Sequence, residues 1–496
     1  MQQSNSNTMQ AFWVGMGSLS SFALTIISAA ILSRYFDKTE YGTYRQILYV
    51  YNTLLVVFSA GLPRIFAYFL PRYSLQQGKY IVWKVSKMLF FFGFVFSLVL
   101  YASSGFIAQV LKNSELAVGL KYFSPIPMLL LPTLGIEGIF STYKKTIYIA
   151  IYNTLTRLLM LLFIVLPVIL LKGTYLYAIY GWIVVSIISL IVAYYFKGIP
   201  FKNIPVEKAV LPFKNIFAYS LPLVMASFAG TALRSADQFF ISRFFGAKVF
   251  AEFSNGFIEL PLVNMVTGAT SVVLMPVFSK AFFEQRDIEK LMITWRNALC
   301  KSATIIYPFV IYFMVFATET VVFLYSDTYK TSSIYFQIKM FLNFFNIIVF
   351  APLFFAMGKT KIYFFVHLIY ALLIWITDFI IVILFKNPVW IAVNSTFINI
   401  LLILSFIYLA ARMLEISFFE FFPLKILYQL FTHSVFAVTI VKLLQIFFIN
   451  NQSITIQLLT TLTIYATLLL STGWLLKINY FALILPLFQK FKNNLE

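Results

Sequence analysis

Apolar stretches long enough to cross a bilayer alternate with short polar joins along the whole chain. About 20 mostly apolar residues span the hydrocarbon core as a helix. Fourteen such stretches are readable: 11–33, 45–70, 82–108, 120–141, 146–171, 174–196, 216–242, 250–277, 297–323, 334–357, 361–384, 388–411, 426–448 and 454–476. The joins hold breakers and charges, as in LPRYSLQQGKY (70–80), FKGIPFKNIPVEKAVLPFK (196–214) and SKAFFEQRDIEK (279–290). Lipid forces each segment to satisfy its own backbone, so continuous spans with short joins predict an all-α helical bundle and not a barrel. The tail 477–496 has too short an apolar part to span and is expected at the cytoplasmic interface.

Composition agrees with the pattern. Of 496 residues 61% are apolar and only 11% charged, far below the roughly 25% charge of soluble domains. The formal charge of +20 invites a nucleic-acid partner, but the Lys and Arg sit in small clusters between spans and never as a tract on a soluble domain. Placing the N-terminus inside puts 24 of the 37 basic residues on the cytoplasmic side, which predicts N-in and C-in. A single cysteine, Cys300, excludes a disulfide scaffold or thiolate metal site. No cofactor, metal or catalytic constellation is readable. The two histidines, His367 and His433, lie in separate apolar runs and read as packing residues. The joins are also too short for a soluble catalytic loop, which argues against a membrane polysaccharide polymerase or ligase.

One phrase occurs twice. LSRYFDKTEYGTY (32–44) and ISRFFGAKVFAEF (241–253) share Ser33/Ser242, Arg34/Arg243 and Phe36/Phe245, and three further aromatic positions match. Each phrase joins two spans on the outer face, six spans apart, as a parallel duplication requires. The expected organisation is a six-helix lobe over 1–196, a cytoplasmic linker over 197–215 and a second six-helix lobe over 216–411. A two-helix hairpin over 412–476 and the interfacial tail follow.

These segments carry a resemblance. SRYFDKTEYGTY with the following GLPRIFAYFLPRY, and RSADQFFISRFFGAKVFAEFSNG in the middle, resemble the polysaccharide-biosynthesis flippases of the multidrug/oligosaccharidyl-lipid/polysaccharide exporter superfamily. The resemblance implies two lobes facing a central cavity, related by a pseudo-twofold axis along the membrane normal. It implies translocation of undecaprenyl-diphosphate-linked oligosaccharide (an O-antigen, capsule or other surface polysaccharide unit) across a bacterial inner membrane by alternating access. The partners implied are the lipid-linked oligosaccharide, membrane lipids and a polysaccharide polymerase or glycosyltransferases. A cation-coupled drug or metabolite antiporter of the same fold is the alternative.

Ionisable residues inside spans are the natural site candidates, because each is costly if left facing lipid. Arg suits a diphosphate through its planar donor fork, and the candidates are Arg234, Arg64 and Arg157. Arg234 and Asp237, three apart, are expected on one helix face. Asp237, Glu259 and Asp378 are the candidates for H+ or Na+ coupling; Glu137 and Glu319 are further acids within spans. Arg34 and Arg243 read as interfacial anchors or loop caps.

Overall fold

The computed structural model describes residues 7–280 and 288–480. The expected tail falls largely on 481–496, outside them. The described residues are all-helical, without strands, and twelve helices among them are long and apolar enough to cross a membrane. The chain divides into two compact units, one up to Glu252 and one from Phe253.

In the first unit α1 (Asn7–Tyr35) is followed by α2 (Lys38–Phe58) and α3 (Pro63–Phe69). Then come the long α4 (Leu75–Val110), three short helices α5 (Ser114–Phe123), α6 (Ile126–Leu130) and α7 (Ile136–Thr142), and α8 (Ile147–Met160). A π-helical turn (Leu161–Val165), α9 (Leu166–Leu170), α10 (Tyr175–Gly198) and α11 (Phe213–Gly256) complete it. Small residues let the helices approach closely, as is common between membrane helices. On α1, a Cβ on Gly17 would lie 2.9 Å from the Ala150 Cα of α8. The π turn has a local cause. Pro167 lacks the N–H that would bond the Phe163 carbonyl four residues back, and Gly181 of α10 packs onto that carbonyl so closely that a Cβ would sit 2.0 Å away. The join between α10 and α11 is pinned to α4. Lys79 Nζ donates to the Ile204 carbonyl at 2.6 Å, Lys84 Nζ to that of Leu211 at 2.6 Å, and Tyr73 Oη to that of Val210 at 3.2 Å. Leu211 and Ile216 complete a core with Leu62, Phe66, Val85 and Leu89.

The second unit contains α12 (Pro261–Lys280), α13 (Ile288–Val315), α14 (Ala317–Tyr325), α15 (Ser332–Leu342) and α16 (Ala351–Ala356). The long pair α17 (Thr360–Phe385) and α18 (Pro388–Met413) follows, then the short α19 (Phe418–Phe421) and the hairpin α20 (Leu424–Leu444) and α21 (Ile454–Leu475). Fully buried Trp295 anchors this unit, stacking on Phe421 at 4.8 Å and donating from Nε1 to the Phe421 carbonyl at 3.2 Å. Before α20, Ser417 and Glu420 cap each other reciprocally, and these hydrogen bonds hold the Glu420 carboxyl below its ordinary range. The terminal hairpin is tied on by polar contacts. Tyr465 Oη donates to the Pro308 carbonyl at 3.0 Å, and Lys442 and Gln445 both donate to Glu319, at 2.6 and 2.9 Å. His433 lies between Tyr480 Oη (2.5 Å) and Thr472 Oγ1 (2.8 Å), and His367 packs on Tyr363 and Phe406.

Several expected spans take interrupted forms. The eighth (250–277) is split: α11 bends at Gly246 and ends at Gly256, and α12 starts at Pro261 after a break. The tenth (334–357) is divided between α15 and α16 by residues without regular helix. The second span breaks in the same manner, at Ser59–Leu62, where Ala60 and Gly61 have φ of 49° and 65° before Pro63 restarts the helix. Both breaks end in Leu-Pro, and Pro at the first helical position suits such a restart. Pro63 lies 27 positions after Phe36, and Pro261 16 positions after Phe245, a difference of 11.

Candidate functional site

The repeated phrases are brought into contact in the first unit. The turn after Phe36 is made by Asp37, whose Oδ1 accepts from the N–H groups of Thr39 (2.7 Å) and Glu40 (2.9 Å) and caps α2. The matching turn after Phe245 is made by Gly246 at φ 80°, ψ 178°, a conformation essentially confined to glycine. The two copies thus solve one turn with different chemistry. Gly42 packs so tightly on the phrase beyond Gly246 that a Cβ would meet the Ala247 carbonyl oxygen at 1.9 Å. Lys38 pairs with Glu252. Gln46 Nε2 donates to Ser242 Oγ at 2.7 Å and accepts at Oε1 from Asn113 Nδ2 at 2.6 Å. Arg243 donates to the Val110 carbonyl, satisfying an acceptor left open at the C-terminus of α4. The result is a polar clasp between α2 and α11.

Beneath it, α1, α2, α8 and α10 enclose a cleft of about 70 Å³ whose polar lining includes Thr25, Ser28, Tyr44, Arg45 and Arg157. The π-helical turn directly after α8 contributes Ile164 to the wall, and such turns concentrate at functional sites. Trp182 Nε1 donates to Tyr44 Oη at 2.9 Å and fixes that ring. Among the described residues, the one hydrogen bond of the Arg157 guanidinium goes to Met160 Sδ at 3.4 Å, a weak acceptor. A half-buried guanidinium with most of its donor fork unspent, beside a second arginine, is suited to an anion with several oxygens. One turn before Arg157, Asn153 Nδ2 donates to Glu137 Oε1 at 3.1 Å, which extends the polar strip along α8.

The other candidates are dispersed. Arg64 is exposed on α3, directly after the break. Arg234 is exposed whereas Asp237 is buried, although both are on α11. The Arg234 guanidinium turns back towards Gly230, as helical side chains lean to the N-terminus, and Asp237 Oδ1 accepts from the Gln238 N–H at 2.7 Å. In the second unit Glu259 sits in the break before Pro261. It lies 3.6 Å from Lys339 Nζ and accepts from Asn264 Nδ2 at 2.9 Å. Asp378 is fully buried on α17, and Asn394 of α18 donates from one amide nitrogen to Asp378 Oδ1 and Thr377 Oγ1, each at 2.8 Å.

Three features escape sequence reasoning. Arg45 lies at the edge of the second apolar stretch, where a basic residue reads as a flank. Lys38 and Glu252 are 214 positions apart, and nothing local couples them. Lys197 is assigned by charge pattern to the cytoplasmic linker, yet it closes α10. It is buried, donating to the Pro132 carbonyl (2.6 Å) and Ser86 Oγ (3.1 Å) beneath the Phe66 ring.

The profile of the polysaccharide biosynthesis protein family matches residues 8–282, more than half of the chain. The chain belongs to that family. Among solved structures it is similar to the lipid II flippase MurJ in an inward closed conformation, with TM-score 0.70 at 14% identity, over 93% of this chain and 99% of the other. It is also similar to an inward-facing multidrug resistance transporter of the MATE family in the MOP superfamily, with TM-score 0.62 at 12% identity, over 82% and 94%. A MOP-superfamily transporter from Pyrococcus furiosus aligns with TM-score 0.58 at 12% identity, over 82% and 96%. No curated protein matches the sequence. The similar structures establish a multi-pass membrane transporter fold, as the spans and the repeated phrase lead one to expect.

Proposed function

We propose that this member of the polysaccharide biosynthesis family translocates an undecaprenyl-diphosphate-linked oligosaccharide across a bacterial inner membrane by alternating access, acting as a transporter without covalent chemistry. The observation that carries the reading is the cleft holding Arg45 and Arg157. Removing a diphosphate from water is prohibitive without compensating donors, and a guanidinium whose fork is hardly used supplies them. Family membership and the similarity in fold to a lipid II flippase support a lipid-linked cargo. Arg64 and Arg234, both exposed, are assigned to guiding the headgroup. The lobes 1–196 and 216–411 and the N-in orientation remain the working frame, and the clasp of the repeated phrases is assigned as the gate on the outer face.

The test is leaflet accessibility of a fluorescent diphosphate-linked oligosaccharide lipid in vesicles. Protein-bearing vesicles should equilibrate the lipid between leaflets, and vesicles with folded protein that behave like empty ones would defeat the reading.

Asp378 is assigned to cation coupling, with Asp237 and Glu259 as secondary candidates. A carboxylate buried at membrane depth is retained at a cost of several kcal/mol unless it binds a cation or proton. The Asn394 amide nitrogen donates to its Oδ1 and to the Thr377 hydroxyl, which places that hydroxyl oxygen beside the carboxylate. Asp378→Asn keeps the shape and removes the charge. Transport by this variant should lose its response to imposed Na+ and proton gradients. A variant that responds like the parent would remove Asp378 from the coupling role.

A further inference from the structure

A second concave surface of the first unit plays no part in the transport reading. The first turns of α4 and the start of α11 frame an open groove of about 570 Å³, lined by Trp83, Lys84, Lys87, Phe91, Phe213 and Phe217 among others. The 36 residues of α4 make a helix about 54 Å long, much longer than the roughly 30 Å hydrocarbon core. The residues at its start, Tyr80, Trp83, Lys84 and Lys87, are of the types that concentrate at headgroup level. The two lysines differ in setting. Lys84 donates to the Leu211 carbonyl at 2.6 Å and lies 4.4 Å from the centre of the Phe213 ring. Lys87, one turn on, is exposed. The aromatic wall stays open to the surroundings, with Phe91 61% and Phe213 55% exposed.

The charge around the groove is predominantly basic. The neighbouring join between α10 and α11, with the first turn of α11, carries Lys202, Lys208 and Lys214 against the single acid Glu207. A zwitterionic headgroup would place its own ammonium in this field, whereas an anionic one would not. We propose that the groove binds one anionic diacyl phospholipid, its phosphate on Lys84 and Lys87 and an acyl chain along the wall of Trp83, Phe91, Phe213 and Phe217. Lys84 holds the join to α4 as well, so the bound phosphate braces the connection leading into α11.

Trp83 provides a reporter. The protein is placed in vesicles containing phosphatidylglycerol or phosphatidylcholine with brominated acyl chains, and the Trp83 contribution is the difference between the parent and Trp83→Phe. Brominated phosphatidylglycerol should quench that contribution with about fivefold preference over phosphatidylcholine, the worth of one surface lysine. In Lys87→Gln the preference should fall to about one. Lys87 has an exposed side chain, so this variant folds where Lys84→Gln, which loosens the join, risks not folding. Equal quenching by the two lipids in the parent, or a preference that survives Lys87→Gln, would overturn the proposal. Inorganic phosphate in the buffer should leave quenching unchanged. Loss of the preference to phosphate would show that the lysines hold a free anion and not a lipid.

Discussion

Replacing Arg157 by alanine should slow equilibration of a diphosphate-linked glycolipid between leaflets by about 10- to 100-fold. The magnitude follows from a hydrogen bond to a charged group, worth about 1.5–3 kcal/mol, with about 1.4 kcal/mol per factor of ten. The fold should survive, because the guanidinium has only a thioether to lose, so thermal unfolding of the detergent-solubilised variant should stay close to the parent. Arg157→Lys separates charge from geometry. A lysine keeps the cation but not the planar fork, and its rate should fall between parent and alanine. Arg45→Ala, with its residue on the same cleft, should act in the same direction. Normal rates in folded Arg157→Ala protein would move the anion site elsewhere.

Linking the two phrases should cut transport sharply. With Cys300 replaced by serine, Lys38→Cys and Glu252→Cys put two thiols where an ion pair now joins the phrases. A short bifunctional thiol reagent then holds the clasp shut. If alternation requires it to part, the linked protein should lose transport by an order of magnitude or more, and the unlinked double variant should retain it. Gly42→Ala gives the converse. Its methyl would fall 1.9 Å from the Ala247 oxygen, so the clasp cannot seat and linking should become slower. Transport at the parental rate by fully linked protein would show that the clasp is static structure.

The bundle is legible in the sequence because lipid imposes one rule on every span, and apolar length records it. The interrupted spans are less legible. Pro261 and Pro63 sit within apolar runs, and a proline inside a membrane helix gives the same signal whether it kinks the helix or restarts it after a break. The pairing of Arg234 with Asp237 illustrates a second limit. A spacing of three places two residues on one face, but the Arg234 side chain reaches back towards Gly230 and the two end in different surroundings. Asp378 is conspicuous as a costly carboxylate. Its partner Asn394 comes from the neighbouring helix 16 positions on, which composition does not reveal. The repeated phrase points to a duplication, and only the folded chain shows that its copies meet.

The central claim is that this chain carries a lipid-linked, diphosphate-bearing glycan across the membrane on an arginine cleft. The most direct measurement compares parent, Arg157→Ala and protein-free vesicles loaded with a fluorescent lipid-linked oligosaccharide, reading the fraction that an impermeant quencher reaches. The account predicts that about half the fluorescence is lost without protein, since only the outer leaflet is reached, and nearly all of it with the parent. It predicts a much slower second half with Arg157→Ala. Loss that stops at the outer leaflet in vesicles bearing folded parent protein would contradict it.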